Sequence, residues 1–157
     1  MARATISAGL PAAGKTTWMR KYASQTHALY LNADDVREEL YGDARVQGNP
    51  SHIWGLVHQR AQEHLKLGHD VVIDGTFVKR ADRERLLQAL TYSDCTELRW
   101  FLTPLQVCLE RNRKRERQVA EHALRRMAQQ FRETPPVITE GFTRIIRVPY
   151  FHSAPLA

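Results

Sequence analysis

Residues 9–17, GLPAAGKTT, decide the fold of this chain. The short apolar run Ala4–Ser7 precedes them and predicts a strand, and a helical pattern begins at Gly14. In a turn between a strand and a helix, glycines let the backbone approach a ligand closely, and the N–H groups at the helix N-terminus attract phosphate. The stretch therefore predicts a phosphate-binding site at the carboxyl end of the first strand.

The spacing within this stretch matches the P-loop pattern G-x-x-x-x-G-K-[ST] in full. Lys15 is expected to bridge the terminal phosphates of ATP, and the Thr16 hydroxyl is expected to ligate Mg²⁺. The alternative is a glycine-rich turn with a surface lysine, which would not explain why the Lys-Thr pair opens the helix. The residues predicted to contact the nucleotide are Gly9, Ala12, Ala13, Gly14, Lys15, Thr16 and Thr17.

Apolar runs alternate with helical patterns along the 157 residues. The predicted strands lie at 4–7, 28–31, 71–73, 98–102 and 145–148. Strands that alternate with helices indicate a parallel sheet with helices on both faces. We therefore predict an α/β, three-layer P-loop NTPase fold with a five-stranded parallel sheet, built as a single domain over residues 1–157. Ser51 is expected to cap a long helix from His52 to Leu67.

Composition narrows the function classes. The net charge of +6 favours anionic partners such as nucleotides or nucleic acid. No apolar run is long enough to span a membrane, and the N-terminus does not resemble a secretory signal, so we expect a cytoplasmic protein without a membrane partner. The absence of an N-K-x-D guanine motif argues against a GTP switch, and the short length argues against an oligomeric ATPase with a lid domain. A short P-loop chain with a late Arg-rich segment suits a phosphoryl-transfer kinase instead, because such a kinase needs arginines near the phosphates.

An acidic segment, Asn32-Ala33-Asp34-Asp35, follows the second predicted strand. In an open α/β sheet the carboxyl ends of the strands face the ligand crevice, where a carboxylate can accept the proton of an acceptor hydroxyl. Asp34 is therefore the predicted general base. The alternative is that Asp34 or Asp35 only caps the next helix. Arg37, about one turn later, can either hold an anionic acceptor group or remain a solvated helix residue.

A second carboxylate, Asp74, ends the apolar strand Val71–Ile73. An ionised carboxylate beside a buried strand end needs a partner, and Mg²⁺ supplies one in P-loop proteins. We therefore predict that Asp74 supports the same Mg²⁺ ion as Thr16.

Residues 110–117, ERNRKRER, form an arginine cluster that continues or interrupts a helix begun at Pro104. On a helix, Arg111 and Arg115 would share one face, and Arg113 and Arg117 would share another. Forked, permanently charged guanidinium groups suit phosphate, whereas a run of charges is usually solvated. We therefore assign catalysis only to Arg111 and Arg115, in an Arg-rich helical lid at about residues 111–120.

With these residues identified, the chain resembles the kinase domain of polynucleotide 5′-hydroxyl kinases. It also resembles a wider group of small bacterial P-loop ATP-binding kinases related to zeta toxins. The resemblance runs nearly end to end and rests on GLPAAGKTTW at 9–18, NADDVR at 32–37, VVIDGT at 71–76, RNRKR at 111–115 and FRETPPVITEGFTRIIRVPY at 131–150.

The resemblance implies roles for several residues. It puts the general base on Asp34, a substrate-phosphate contact on Arg37, an acceptor-side role on Thr76, and the two lid arginines on Arg111 and Arg115. The chain departs from the family pattern at three positions: Ala12 where the loop usually has glycine, Ala33 before the base, and Phe77 where asparagine usually follows Thr76.

The sequence therefore predicts an ATP- and Mg²⁺-dependent kinase whose acceptor is the 5′-hydroxyl of single-stranded DNA or RNA. Two alternatives stay open. The acceptor can be a small molecule such as a nucleoside, sugar, antibiotic or nucleotide-sugar, or the chain can be a nucleotide-binding regulator without catalytic activity. The oligomeric state is not predicted.

Overall fold

One parallel β-sheet organises the chain. The computed structural model describes residues 1–151, so residues 152–157 of the predicted domain lie outside the described part. The strands are β1 (Arg3–Ala8), β2 (Leu29–Asn32), β3 (Val71–Asp74), β4 (Cys95–Phe101) and β5 (Arg144–Val148). Every pairing between them is parallel, in the order β2-β3-β1-β4-β5. The predicted five-stranded parallel sheet is confirmed.

Six α-helices connect the strands of the described residues. They are α1 (Lys15–Thr26), α2 (Ala33–Tyr41), α3 (Pro50–Lys66), α4 (Arg80–Ala89), α5 (Leu105–Arg113) and α6 (Glu121–Glu133). A 3₁₀ turn, Ile138–Glu140, leads into β5. Every connection between parallel strands therefore contains helix, as a parallel sheet requires.

Both faces of the central sheet are covered. All four residues of β3 are buried in succession, as are five of the six in β1. Successive side chains of a strand point to opposite faces, so unbroken burial requires a layer on each side. Met19 of α1, Val57 of α3 and Leu109 of α5 are fully buried in the same core. The predicted three-layer α/β architecture follows.

The sheet order brings the predicted site residues to one edge. β1 lies between β3 and β4, although the chain first leaves β1 to form β2 at the far side. Connections therefore diverge at the carboxyl end of β1, and this switch point is where open α/β sheets bind ligands. Asn32 at the end of β2 pairs with Asp74 at the end of β3. The two predicted acidic segments thus lie side by side.

The start of α3 differs from the prediction that Ser51 caps it. The cap is Asn49, whose side-chain oxygen accepts a 3.0 Å hydrogen bond from the Ser51 N–H. Pro50 occupies the first helical position, where its fixed φ fits and its missing N–H leaves no donor unpaired. The helix therefore begins two residues earlier than expected.

The arginine cluster also departs from the predicted helix. Helix α5 ends at Arg113, and residues 114–120, here named the arginine loop, are not helical. Arg115 and Arg117 belong to this loop, so the predicted pairing of arginines on two helical faces is wrong. Arg113 instead contacts Glu121 at 2.6 Å. At the helix end the Lys114 N–H donates to the carbonyl oxygens of Arg111 and Asn112.

Candidate active site

The loop after β1 has the backbone shape of a phosphate cradle. The Gly9 N–H donates a 3.0 Å hydrogen bond to the Thr76 carbonyl, which ties the loop to the end of β3. Gly9 has φ of 149°, and a Cβ there would lie 3.1 Å from Phe101 Cβ. Gly14, with φ of 93°, precedes the first residue of α1. Glycine is needed at both positions, because L side chains rarely adopt such φ values.

Most of the predicted nucleotide-contacting residues surround one cavity of about 330 Å³. Its walls are Ala12, Gly14, Lys15, Thr16, Thr17, Arg111 and Arg115. Ala13 is buried, and its N–H donates to Leu10 while its carbonyl accepts from Thr103. Gly9 and Ala13 therefore shape the loop from outside this cavity. Arg111 and Arg115 meet the loop across the cavity, although they do not share a helix face.

Lys15 is held inside the loop rather than extended into solvent. Its Nζ donates a 2.5 Å hydrogen bond to the Leu10 carbonyl, and the residue is 7% exposed. Burial lowers the pKa of Lys15 to about 8, against the opposing attraction of Asp74. A phosphate in the cradle would favour the charged ammonium, because an opposite charge nearby stabilises it.

The Asp74 carboxylate, at the carboxyl end of β3, accepts hydrogen bonds from three hydroxyl groups. Its Oδ2 accepts from Thr16 Oγ1 at 2.9 Å and from the Tyr30 phenol, and its Oδ1 accepts from Ser7 Oγ at 2.9 Å. Burial, followed by this hydrogen bond, raises the pKa of Tyr30, so the phenol stays a donor. A carboxylate beside a threonine hydroxyl is an all-oxygen donor set that fits Mg²⁺.

This donor set is small. Within residues 1–151, no group of three or more His, Cys, Asp or Glu side chains is arranged to hold a metal ion. Mg²⁺ keeps several waters and usually binds through one or two carboxylates and substrate phosphates. Thr16 and Asp74 therefore suit an ion that arrives with a nucleotide.

Asp34 is free of the capping role that was its alternative. Asn32 caps α2, because its Oδ1 accepts from the Asp35 N–H at 2.6 Å. The Asp34 carboxylate instead points to two arginines, with Arg37 Nη1 at 2.9 Å and Arg117 Nη1 at 3.5 Å. Its side chain is half-exposed and can be reached by a ligand. Arg37 is 11% exposed, so it is not the solvated helix residue of the alternative.

A cleft of about 490 Å³ unites the acidic and basic site residues. The predicted residues on its walls are Ala12, Lys15, Thr16, Asp34, Arg37, Asp74, Thr76 and Arg115. The cleft shares Ala12, Lys15, Thr16 and Arg115 with the phosphate cavity, so the two adjoin. Arg111 is on the cavity side only, where its Nη1 donates to the Ala12 carbonyl at 3.3 Å.

The two arginines assigned to catalysis are not neutralised by the protein. Arg113 and Arg117 have carboxylate partners, whereas no ion pair within residues 1–151 engages Arg111 or Arg115. Both guanidinium groups are therefore available to anionic ligands in the cavity they line.

Two residues near this site, Tyr30 and Asn112, were given no role by the sequence analysis, and Arg117 was named there but set aside. Tyr30 and Arg117 contact Asp74 and Asp34, and the buried Asn112 shapes the arginine loop. Tyr30 carries a weak signal, because it alternates with Leu29 and Leu31 on a strand beside β3. Arg117 carries none, because a loop arginine cannot be told from its neighbours by spacing.

The fold and the site together define a nucleotide-binding P-loop domain with the fold of small kinases. The chain belongs to the AAA domain family (AAA_33), whose model matches residues 5–134. No curated protein matches it. Among the described residues, no helix is both long and apolar enough to cross a membrane.

The solved structures that share this fold include proteins named for different activities. A chain of the Pnkp1/Rnl/Hen1 RNA repair complex matches with a TM-score of 0.75 and 23% identity, over 84% of this chain and 44% of that chain. A gluconokinase from Sinorhizobium meliloti matches with a TM-score of 0.62 and 14% identity, over 93% and 81%. A shikimate kinase from Acinetobacter baumannii, in complex with shikimate, matches with a TM-score of 0.57 and 16% identity, over 93% and 83%.

These matches establish the fold and leave the acceptor open. All three identities are below 25%. This chain spans less than half the length of the RNA-repair chain, whereas it spans most of the gluconokinase and the shikimate kinase.

Proposed function

We propose that the chain is an ATP-dependent kinase that transfers the γ-phosphate to a hydroxyl group, with the 5′-hydroxyl of DNA or RNA as acceptor. The observation that carries the proposal is the position of the Asp34 carboxylate. It lies in the same cleft as Lys15, Thr16 and Asp74, and Asn32 rather than Asp34 caps the helix. The Asp34 side chain is half-exposed there, where it can accept the proton of an acceptor hydroxyl.

In this mechanism Asp34 is the general base. The acceptor oxygen forms a bond to the γ-phosphorus while the bond from that phosphorus to the β,γ-bridging oxygen breaks, and ADP leaves. The hydroxyl proton passes to Asp34, within whose reach the acceptor must lie. Arg37 and Arg117 hold the two carboxylate oxygens, which limits the rotation of the side chain.

Positive groups on the opposite side stabilise the transferring phosphoryl group. Lys15, Arg111 and Arg115 surround the phosphate cavity, and Thr16 and Asp74 would hold Mg²⁺. Bound Mg²⁺ neutralises charge on the β- and γ-phosphate oxygens. An arginine that contacts the transferring phosphoryl group typically raises the rate by about 10³–10⁵-fold. We assign this role to Arg111 and Arg115, which line the phosphate cavity. They would belong to a lid at about residues 111–120 of a single domain.

Two features support a polynucleotide acceptor. The net charge of +6 suits a polyanionic substrate, because backbone phosphates are bound mainly by basic residues. Arg37, beside Asp34, can meet a phosphate next to the acceptor nucleoside. The resemblance to polynucleotide 5′-hydroxyl kinases and the fold shared with an RNA-repair chain point the same way.

The test is transfer of labelled γ-phosphate from ATP to 5′-hydroxyl oligonucleotides of DNA and RNA in the presence of Mg²⁺. We expect a labelled strand, and we expect Asp34→Asn to lower kcat by about 10²–10⁴. The matched control is Asp35→Asn, because Asp35 is on the same turn but pairs with Arg20. If no strand is labelled, the polynucleotide acceptor is wrong. If a strand is labelled but the two variants behave alike, Asp34 is not the general base.

A small-molecule acceptor is the second candidate. The extent of the structural matches favours it, because this chain covers 81% of the gluconokinase chain and 83% of the shikimate kinase chain. Consumption of ATP with a metabolite while oligonucleotides stay inert would select it. A regulator without catalytic activity would keep its biological effect in the Asp34→Asn variant.

A further inference from the structure

A second cavity adjoins the catalytic cleft and has no role in the proposed transfer. Its volume is about 640 Å³, and it lies between the first turns of α3, the residues after β3, and α4. Its walls are Pro50, Ser51, Trp54, Gly55, His58, Thr76, Phe77, Asp82 and Arg85. Trp54 and Thr76 line the catalytic cleft as well, so an acceptor held at Asp34 could extend into this cavity.

The partly buried ring of Trp54 forms the wall nearest the cleft, and the ring of Phe77, which is 7% exposed, packs against it. The Trp54 and Phe77 rings are 5.3 Å apart between centroids and inclined by 64°. Gly75 makes their position possible, because a Cβ there would lie 2.7 Å from Phe77 Cε2 and 3.0 Å from Trp54 Cη2. The rings therefore pack directly against the backbone at the end of β3.

Phe77 adopts a backbone conformation that does not suit it. Its φ is 43°, in the left-handed region, where a bulky side chain is an outlier. Such strain persists only when the surroundings over-determine it, and it clusters at functional sites. Asparagine, the residue that the family pattern has here, tolerates this region better. Phenylalanine at position 77 therefore combines an aromatic side chain with a backbone conformation that is less favourable for it than for asparagine.

A buried arginine holds the strained turn in place. Arg83 Nη1 donates to the carbonyl oxygens of Phe77 at 3.0 Å and Val78 at 2.8 Å. Arg83 Nε contacts Glu140 at 2.6 Å, and both side chains are fully buried. The aromatic wall is thus fixed before any ligand arrives.

We propose that this cavity binds the planar base of the acceptor nucleoside, which stacks on the ring of Trp54 while Phe77 supports that ring from behind. The inference deepens the proposed function and rests on it, since it assigns the acceptor to compounds in which a heterocycle accompanies the 5′-hydroxyl. Aromatic side chains are the usual platforms for unpaired bases, since every base has a π-face. An aliphatic polyol would leave the aromatic wall unused.

Polar groups around the rest of the cavity can meet the edge of a base. Asp82 and Arg85 form an ion pair at 3.2 Å, and together they offer an acceptor and donors. Burial, and then the nearby Arg85, lowers the pKa of His58, which favours a neutral ring with one donor and one acceptor. The cavity therefore provides stacking and hydrogen bonding without a net charge aimed at the base.

The test compares two ligands that differ only in the base. Adenosine 3′-monophosphate and methyl β-D-ribofuranoside 3-phosphate, which keeps the furanose ring and the free 5-hydroxyl, are titrated by calorimetry with a non-hydrolysable ATP analogue filling the donor site. We expect the base to strengthen binding by about 5- to 150-fold, the range typical of one base–aromatic stack. Trp54→Leu should abolish this difference, and Trp100→Leu, in a tryptophan outside the cavity, should preserve it.

Phe77→Asn is the second variant, because asparagine tolerates the positive φ while removing the ring. Because the buried ring of Phe77 supports Trp54 but offers little surface to a ligand, this variant should weaken the difference between the two ligands. Equal affinities in the wild type, failure to bind either ligand, or a difference that survives in both cavity variants would overturn the inference.

Transfer assays separate this inference from the proposed function. Oligonucleotides with an ordinary or an abasic 5′-terminal residue are compared as acceptors. Equal phosphorylation of both would refute the base pocket and leave the kinase proposal standing. Base-dependent binding without transfer to any oligonucleotide would support the base pocket and refute transfer to a polynucleotide. Transfer to adenosine 3′-monophosphate alone would assign the pocket to a free nucleotide.

Discussion

The side chain of Asn112 pairs with the backbone of Val119 as another strand would. Its Nδ2 donates to the Val119 carbonyl at 2.7 Å, and its Oδ1 accepts from the Val119 N–H at 3.0 Å. Asn112 is 1% exposed, so these bonds are shielded from water. This contact closes the arginine loop and sets where Arg115 and Arg117 lie in the cleft.

Replacement of Asn112 by leucine is expected to damage both stability and catalysis. Loss of the amide leaves polar groups of Val119 without partners, which costs about 1–3 kcal/mol of unfolding free energy. Arg115 would no longer be held at the phosphate cavity, so kcat should fall towards that of Arg115→Ala. Urea denaturation and phosphoryl-transfer kinetics measure the two effects.

Gln118→Ala provides the control for Asn112→Leu. Gln118 is exposed in the same loop and donates only to the Arg113 carbonyl. It should change the free energy of unfolding by less than about 0.5 kcal/mol, as surface substitutions usually do. If Asn112→Leu kept the wild-type kcat, the loop would not owe its position to this contact.

Local chemistry made most of the fold and part of the site predictable. The P-loop pattern fixes a strand, a turn and a helix within one stretch, and the strand-end rule located Asp34 and Asp74. The five strands followed from apolar runs, since a sheet with two covered faces needs them.

Contacts that depend on the course of a loop were not predictable. Arg117 and Asp34 are 83 residues apart, and their approach requires α5 to stop at Arg113. The bond that reverses the chain, from Asn112 to Val119, joins side chain to backbone and leaves no periodic pattern. The charge run at residues 110–117 therefore predicted arginines that line the phosphate cavity, but with the wrong backbone geometry.

Ala12→Gly is expected to stabilise the protein. Ala12 has φ of 64°, in the left-handed region that disfavours a Cβ by roughly 1–2 kcal/mol. Part of that gain is offset by the greater freedom of glycine in the unfolded chain, so we expect an increase of about 0.5–1 kcal/mol in unfolding free energy. Chemical denaturation measures it.

The opposite sign is expected for Ala81→Gly, because Ala81 is on the exposed surface of α4. Glycine in the middle of a helix lowers stability by roughly 0.5–1 kcal/mol, and we expect a smaller loss at Ala81, the second residue of α4. A loss of stability in both variants would show that the conformation of Ala12 is not strained.

Nucleotide binding should take up a proton above pH 8. The pKa of Lys15 in the free protein is about 8, and bound phosphate requires the charged ammonium. The dissociation constant of an ATP analogue should therefore be constant below about pH 8 and rise up to tenfold per pH unit above it. Calorimetry at pH 9 in buffers of different ionisation enthalpy should detect the proton, and Lys15→Met should abolish it.

The free protein should show the linked effect on stability. Burial lowers the pKa of Lys15 from 10.5 to about 8, so the unfolded chain binds more protons between these values. Lys15 therefore contributes an increase in stability as pH rises through this window, up to about 3 kcal/mol. A slope that is the same in wild type and Lys15→Met would contradict the buried ammonium.

Substitutions of two arginines of α4 would measure how much the buried ion pair next to Phe77 contributes to stability. Arg83 and Arg80 each place Nε 2.6 Å from a carboxylate, but the Arg83–Glu140 pair is fully buried and the Arg80–Glu84 pair is about half exposed. Removing one partner of a buried pair leaves an uncompensated charge. We therefore expect Arg83→Met to lower the unfolding free energy by about 3–5 kcal/mol and Arg80→Met to lower it by less than about 1 kcal/mol.

The double variant Arg83→Met with Glu140→Leu separates charge from hydrogen bonding. It should recover part of the loss, because no charge stays buried, but not all of it, because the carbonyl oxygens of Phe77 and Val78 lose their donor. Urea unfolding, analysed with a shared m-value, gives the unfolding free energies of the wild type, the two single variants and the double variant. Equal costs for Arg83→Met and Arg80→Met would mean that the strained turn at Phe77 is held by the packing of its ring alone.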